Sequence, residues 1–263
     1  GGSSYASFVT TKAARAGMIY VGANDGMLHA FDTTGVEKFA FIPNSVYPNL
    51  KTLSDPNYGH HYFVDGPLAE GDAYIGTAWK NILLGTTGAG AQSVFAIDVT
   101  TPGSLGTGSV LWEYNNASTD ADMGNVLGAP AVVLLANGKW AAIFGNGYNS
   151  SNGHAVLYMV DVQTGALIKK IDTGVGSTSV TNGLSAPALL FNASRQVVGA
   201  YAGDLQGNLW KFDLSNATDP TQWTSSSLFV AKDSSTVPVV QPIVQTPVIA
   251  AHPLGGYLVM FGT

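Results

Sequence analysis

Two aspartates in one short loop are the first residues whose type and spacing could do chemistry. Asp120 and Asp122 stand two positions apart, in the sequence Asp-Ala-Asp-Met-Gly. A carboxylate pair can bind a cation, but calcium takes about six to eight oxygen ligands. We therefore regard this pair as a weak candidate metal site and favour a solvated loop.

A pair of adjacent histidines, His60 and His61, is the second candidate. Neighbouring side chains of a strand point to opposite faces, so we expect one imidazole to pack and the other to meet solvent. The chain has no Ser/His/Asp order, no zinc-ligand spacing and no phosphate-binding glycine loop. It also has no Cys, which excludes disulfides, thiolate catalysis and cysteine-ligated metals. The sequence therefore predicts a protein that is not an enzyme, with no catalytic residues and no cofactor.

Four further aspartates recur along the chain, at Asp32, Asp98, Asp161 and Asp213. Each ends a short apolar stretch that is typical of a strand. They could form a ring of acids, but an aspartate in this position also accepts hydrogen bonds from backbone amides two residues on. We favour the turn, because recurrence at one position of a repeat indicates a folding signal.

A repeat of about sixty residues organises the chain. Glycine anchors lie 63, 60 and 58 residues apart, at Gly22, Gly85, Gly145 and Gly203. Prolines keep a similar interval, at Pro67, Pro130, Pro187 and Pro247. Turn residues occupy matching positions in the first and fourth repeats, at Asp25-Gly26 and Gln206-Gly207, and Asp204 belongs to the same blade motif. Two markers in phase over four periods predict a repeat protein.

Each period resolves into four strands, as the third one illustrates. Predicted strands cover 129–135, 140–145, 155–162 and 166–171, and Asn137-Gly138 supplies a hairpin turn between the first two. Four antiparallel strands per repeat, with no helical period, predict an all-β fold: a β-propeller of four-stranded, quinoprotein-like blades. We expect the five tryptophans to pack between blades rather than form a ligand cage: Trp79, Trp112, Trp140, Trp210 and Trp223.

The blades are expected to form a single propeller domain over residues 1–263. Their approximate boundaries are 5–57, 62–115, 127–175, 184–235 and an incomplete 243–263. The first blade begins near its second strand at 18–22, although 5–9 could supply a first strand. The last stops after its second strand at 257–262. We therefore expect about four and a half blades of a larger ring that does not close within this chain.

Composition limits the partners. Lys and Arg total 11 against 17 Asp and Glu, the formal net charge is −6, and no basic run is present. A nucleic-acid interface needs clustered basic residues, so we expect no such partner. Apolar runs such as 129–136 are far shorter than the roughly 18 residues of a membrane-spanning helix. Recognition is expected in the Gly/Ser/Thr-rich loops at 100–108 and 173–182.

From about residue 5 to the end, the repeats resemble the C-terminal propeller of the PilC/PilY proteins of type IV pili. The stretches that carry the resemblance are 21–32, 55–58, 60–66, 135–140, 143–148, 170–176 and 201–213. The most specific are Phe-Gly-Asn-Gly-Tyr at 144–148 and Ala-Gly-Asp-Leu-Gln-Gly-Asn at 202–208.

The resemblance implies an extracytoplasmic protein of a Gram-negative bacterium, at the cell surface, the pilus tip or the outer membrane. It implies roles in pilus assembly, in opposing pilus retraction and in surface adhesion. The implied partners are pilins or minor pilins, a host or surface ligand, and the remaining domains of a longer parent protein.

One hairpin departs from the pattern of that family. Its members often carry a carboxylate-rich calcium loop just before the strand that begins at Tyr201. Residues 190–197 here read Leu-Phe-Asn-Ala-Ser-Arg-Gln-Val and contain no carboxylate. Calcium favours several charged oxygen ligands, so we predict no calcium at this hairpin.

Two alternatives to a pilus-associated binding propeller remain open. The chain could be a fragment of a pyrroloquinoline quinone dehydrogenase, because such enzymes share the blade sequence. Those enzymes have a similar propeller, but they carry a carboxylate base, a calcium ion and often a vicinal Cys pair near the cofactor. This chain has no Cys. The other alternative is a purely structural propeller within a surface assembly.

Overall fold

The computed structural model describes residues 2–115 and 120–263. One α-helix, α1 (Gly2–Ala13), precedes seventeen strands. The strands are β1 (Met18–Gly22), β2 (Leu28–Asp32), β3 (Glu37–Phe41), β4 (Leu68–Ile75), β5 (Ala78–Thr86), β6 (Ser93–Asp98), β7 (Val110–Asn115), β8 (Ala131–Leu135), β9 (Trp140–Gly145), β10 (His154–Asp161), β11 (Leu167–Gly176), β12 (Ala188–Phe191), β13 (Gln196–Gly203), β14 (Asn208–Asp213), β15 (Thr224–Val230), β16 (Val248–Ala251) and β17 (Tyr257–Met260). Short 3-10 helices cover Tyr47–Ser54, Pro102–Ser104, Thr107–Ser109 and Pro220–Gln222.

Antiparallel pairing of consecutive strands groups them into blades. β4 to β7 form a four-stranded sheet, and β8 to β11 and β12 to β15 each pair in the same consecutive order. A short parallel contact between β8 and β13, at Leu134↔Gln196 and Leu135↔Val197, joins the last two groups. β1 to β3 form a three-stranded sheet and β16 pairs with β17. The predicted propeller of four-stranded blades is confirmed.

The third blade follows the predicted strand pattern closely. β8, β9 and β10 each begin and end within two residues of the predicted strands. The fourth strand is longer than predicted, because β11 continues to Gly176. Gly138 between β8 and β9 has φ +80°, the left-handed conformation that a tight hairpin turn favours in glycine.

The prediction that residues 5–9 could supply a first strand is wrong, because they lie within α1. Tyr5, Phe8 and Lys12 are spaced so that they share one helical face. Tyr5 and Phe8 pack on Trp79, with ring centroids 4.4 and 6.4 Å away, and Lys12 Nζ lies 2.6 Å from Asp72 Oδ1. A strand would turn Tyr5 and Phe8 to opposite faces. Across the described residues, no helix combines the length and apolarity that a membrane crossing requires.

The core lies between adjacent blades. Ile82 and Val94 of the second blade share one apolar cluster with Phe144 of the third. Leu157 of the third blade shares another with Phe212 of the fourth. Three of the tryptophans are buried in this way, as expected: Trp112, Trp210 and Trp223. The other two, Trp79 and Trp140, are only half-buried.

Candidate functional site

The anchor glycines lie where each second strand ends and the segment entering the next blade crosses it. A Cβ on Gly145 would lie 2.2 Å from Ser185 O, and one on Gly203 would lie 2.4 Å from Ile243 O. Contacts this short do not occur in folded proteins, so these positions exclude any side chain. Gly85 differs, because a Cβ there would meet the ring of Phe95 in its own sheet, at 2.3 Å.

A buried polar residue directly follows the anchor glycine in the second and third blades. Thr86 Oγ1 donates to Val126 O at 2.9 Å. Asn146 is fully buried; its Nδ2 donates to Asp122 O at 2.7 Å and its Oδ1 accepts from Leu184 N at 3.0 Å. Each side chain therefore bonds to the backbone of the segments that connect blades. Neither Thr86 nor Asn146 was identified from the sequence. The pattern that could have indicated them is a polar residue immediately after an anchor glycine.

In the fourth blade the same position is Asp204, a fully buried carboxylate. Its Oδ2 accepts from Trp210 Nε1 at 2.8 Å, Asn182 Nδ2 at 2.8 Å and Asn208 Nδ2 at 2.9 Å. Its Oδ1 accepts from Gln206 N at 2.9 Å and Asn208 N at 2.8 Å. A buried charge needs such donors on both oxygens. Asp204 thereby connects the loop after β11 to the turn between β13 and β14.

The recurring aspartates each hold the turn that follows their own strand. Backbone amides two residues on donate to Asp32, Asp98, Asp161 and Asp213 at 2.9 to 3.0 Å. The pKa of Asp32 is well below its usual value, chiefly because of the hydrogen bond from the Thr34 hydroxyl and next because of that from Lys38. For Asp213, the hydroxyl and amide of Ser215 lower the pKa. These hydrogen bonds favour the turn role over a ring of acids.

The Asp120–Asp122 pair holds an ammonium group. Lys170 Nζ lies 2.7 Å from Asp120 Oδ1 and 2.7 Å from Asp122 Oδ2. Tyr114 OH donates to Asp120 Oδ2 at 2.7 Å, and Asn152 Nδ2 donates to Asp122 Oδ1 at 2.7 Å. Our expectation of a solvated loop is wrong here, because both carboxylates are largely buried and face β11. The lysine, about fifty residues away in sequence, supplies the positive charge that a metal would supply.

The pKa shifts of this cluster follow from its hydrogen bonds. Burial alone would raise the pKa of Asp120, but the hydrogen bonds from Lys170 and Tyr114 outweigh it and leave that pKa lowered. Burial alone would lower the pKa of Lys170, but the hydrogen bonds to Asp120 and Asp122 leave it raised. The ion pair therefore stabilises the fold fully from about pH 4 to about pH 10. Its contribution is lost as pH falls through the lowered pKa of Asp120 or rises through the raised pKa of Lys170.

Replacement of this lysine by methionine tests the cluster. Lys170→Met should lower the free energy of unfolding at pH 7 by about 1–2 kcal/mol, a value reduced for solvent screening of a partly exposed lysine. Urea unfolding measures the loss, which should shrink as pH falls through the lowered pKa of Asp120. Lys169→Met, in the same strand, is the matched control and should change little. Equal losses for the two variants would contradict the account.

His60 and His61 do not lie on a strand, so the prediction that one packs and the other is exposed is wrong. They lie in an irregular segment, and both are exposed. The His60 ring contacts Tyr62 at 5.1 Å between centroids, and the His61 ring contacts Tyr58 at 6.0 Å. With Phe63 they line a cavity of about 340 Å³. In an irregular segment the alternation of strand side chains does not apply.

The hairpin between β12 and β13 is a tight turn with its polar atoms engaged. Asn192 Oδ1 accepts from Ser194 N at 2.9 Å and Gln196 N at 3.0 Å, and Arg195 has φ +60°. The second side-chain amide oxygen of the hairpin, Gln196 Oε1, accepts from Asn192 Nδ2 at 3.0 Å. Both amide oxygens suited to calcium are thus occupied, and the guanidinium of Arg195 belongs to the same turn. These residues do not fit a calcium ion. Throughout the described ranges, no three His, Asp or Glu side chains converge as a metal site would require.

A gain of calcium binding tests this conclusion. In the unmodified chain we expect no calcium to bind at this hairpin, so the midpoint of thermal unfolding should not rise when calcium is added. Asn192→Asp combined with Ser194→Asp and Gln196→Asp should create a carboxylate loop, and calcium at 100 times its dissociation constant should then stabilise it by about 2.7 kcal/mol. Differential scanning calorimetry with calcium and with chelator measures both. An ion bound at Asn192 or Ser194 in the unmodified chain would contradict the prediction.

Comparison of this chain with known proteins identifies its family. A family model described as the PilY1 beta-propeller domain matches residues 1–263. This chain belongs to that family. The resemblance to the PilC/PilY propeller is confirmed.

The relatives of this PilY1 propeller are much longer than the chain itself. It is 44% identical over 280 residues to the "Type IV pilus biogenesis factor PilY1 homolog" of Xylella fastidiosa, covering 99% of this chain and 19% of that protein. It is 42% identical over 283 residues to the "Type IV pilus biogenesis factor PilY1" of Pseudomonas aeruginosa, covering 98% of this chain and 24% of that protein. The crystal structure of the P. aeruginosa PilY1 C-terminal domain matches with a TM-score of 0.83 and 39% identity, over 98% of this chain and 54% of that one.

Proposed function

We propose that this PilY1 propeller is the non-catalytic binding module of a type IV pilus biogenesis factor. It acts in pilus assembly, in control of retraction and in surface adhesion, at the pilus tip or outer membrane of the bacterial cell. The observation that carries the proposal is the match to proteins of that description along almost the whole chain, at 42 to 44% identity.

The engagement of the acidic side chains supports a non-catalytic role. Asp204 accepts six hydrogen bonds in the interior, and Asp120 and Asp122 share the ammonium group of Lys170, which balances one of their two negative charges. A general base needs a free acceptor within reach of a substrate proton. These carboxylates instead bond to their own chain, so we assign them to folding.

Loops on the rigid blades are the proposed recognition surface. The loop after β11 carries Val180, which is 62% exposed, while Asn182 at its end is buried and held by Asp204. An exposed apolar side chain on a loop whose base is fixed suits protein recognition, since little ordering is required on binding. Pilins and minor pilins are the partners we propose for this surface.

Binding to minor pilins tests the proposal. The 263-residue chain, immobilised, should bind at least one purified minor pilin of the same bacterium saturably in biolayer interferometry. Val180→Asp should weaken that binding about tenfold, the effect of about 1.4 kcal/mol at an interface. Val237→Asp, at a site that is 80% exposed in a different loop, is the control and should leave it unchanged. Failure to bind any pilin would contradict the proposal.

A separate assay tests the claim that the propeller is not a catalyst. We expect no dye-linked alcohol oxidation when the chain is supplied with pyrroloquinoline quinone and calcium. Turnover under these conditions would favour the quinoprotein dehydrogenase alternative. A purely structural propeller would show neither turnover nor pilin binding, so the two assays separate the three functions.

A further inference from the structure

A pocket of about 490 Å³ lies where the first hairpins of three successive blades meet α1. Tyr5 of α1, Trp79 of β5, Trp140 of β9 and Arg195 of the β12–β13 hairpin all line it. It lies at the other end of β9 and β13 from the hydrogen bonds of Asn146 and Asp204. We propose that this pocket binds an acidic sugar, with the sugar ring against the aromatic side chains and its carboxylate on Arg195.

The aromatic side of the pocket is a preorganised surface. Trp79 and Trp140 pack edge to face, with centroids 5.5 Å apart and planes at 79°. Tyr5 contacts Trp79 with centroids 4.4 Å apart, and Trp79 Nε1 donates to Ser4 Oγ at 3.3 Å. Both indoles are only half-buried. Fixed aromatic rings that stay partly open offer the apolar C–H face of a pyranose a surface without a cost in side-chain ordering.

Arg195 supplies the charge that selects an acid. Its side chain is exposed, and among the described residues its guanidinium has no hydrogen-bond or ion-pair partner. The turn held by Asn192 fixes its backbone at φ +60° at the rim of the pocket. A guanidinium binds a carboxylate through two parallel hydrogen bonds, which a neutral sugar cannot accept in the same way.

The other charged residue of the pocket does not compete for Arg195. Asp72 Oδ1 accepts from Lys12 Nζ at 2.6 Å and Asn81 Nδ2 at 2.8 Å, and its Oδ2 accepts from Tyr5 OH at 3.0 Å. Its negative charge is therefore balanced by Lys12 within the fold. Arg195 is left as the unbalanced charge of the pocket, so an anion is the favoured occupant. The Ser194 residue beside it also lines the pocket and adds a hydroxyl for the sugar.

Glucuronate and glucose are the matched probes, because they differ only in the carboxylate. Titration of the chain with each, followed by saturation-transfer NMR and calorimetry, should show glucuronate binding about tenfold more tightly than glucose. Arg195→Asn should abolish this preference, since asparagine tolerates the left-handed backbone but carries no charge. Lys139→Gln removes an exposed cation from the neighbouring hairpin and should retain it. Unchanged thermal midpoints would establish that both variants are folded.

Four results would overturn the proposal. These are no binding of either sugar, equal affinity for the two, a preference for glucuronate that persists in Arg195→Asn, and tighter binding of N-acetyltyrosine than of glucuronate. The last would identify the occupant as a peptide carboxylate instead of a sugar. The inference rests on the pocket alone, and its failure would leave the pilin-binding test of the proposed function unaffected.

Discussion

Asp204→Ala is expected to lower the free energy of unfolding by about 3–5 kcal/mol. The buried carboxylate accepts from the side chains of Asn182, Asn208 and Trp210, and its removal leaves those donors without an acceptor. Each buried donor without a partner costs about 1–3 kcal/mol. Urea unfolding followed by circular dichroism should show a lower midpoint with an unchanged slope.

Two further variants identify the cause of that loss. Asp204→Asn keeps the shape but turns one acceptor into a donor that faces other donors, so it should be comparably destabilised. Asp213→Ala removes an exposed aspartate that accepts only from the amide and hydroxyl of Ser215, and its loss should be much smaller. Similar losses for Asp204→Ala and Asp213→Ala would mean that Asp204 acts as an ordinary turn residue.

Gly203→Ala should destabilise the fold by about 2–4 kcal/mol. The new Cβ would lie 2.2 Å from Ile243 Cγ2 and 2.4 Å from Ile243 O, on the segment that leads to β16. Ile243 is fully buried, so the segment can move only by disturbing the packing between blades. Thermal unfolding should show a correspondingly lower midpoint.

Gly199→Ala is the matched control for this substitution, because it lies in the same strand. Its Cβ would be 3.3 Å from Phe212 O, a contact that a small shift relieves. The free energy of unfolding should change by less than about 1 kcal/mol, since alanine also reduces the freedom of the unfolded chain. If Gly203→Ala were equally mild, the close approach of neighbouring blades would not explain the anchor glycines.

The propeller could be predicted from the sequence because its markers are local and repeated. Gly145 and Gly203 must be glycines because the segment that enters the next blade passes directly against them. The interval between such glycines therefore gives the length of one blade in residues. Hairpin turns such as Asn137-Gly138 need only neighbouring residues. The helix at the amino-terminal end escaped prediction because its apolar face becomes meaningful only against Trp79, about seventy residues away.

The candidate sites depend on contacts between distant residues, and no local pattern predicted them. Asp120 pairs with Lys170, and Asp204 accepts from Asn182 in addition to the neighbours in its own turn; Lys170 and Asn182 both come from other elements. The pocket assembles from α1 and three blades, and Trp79, Trp140 and Arg195 each come from a different blade. The Arg195 hairpin was recognised in the sequence only as lacking the carboxylates of a calcium loop.

Surface piliation of the parent bacterium tests the central claim most directly. The region encoding this propeller is deleted in frame from the chromosomal gene, and surface pili are counted by electron microscopy with and without a working retraction motor. If the propeller opposes retraction and supports assembly, pili should be lost in the deletion strain and should return, in part, when retraction is disabled. Normal piliation and twitching motility in the deletion strain would contradict the account.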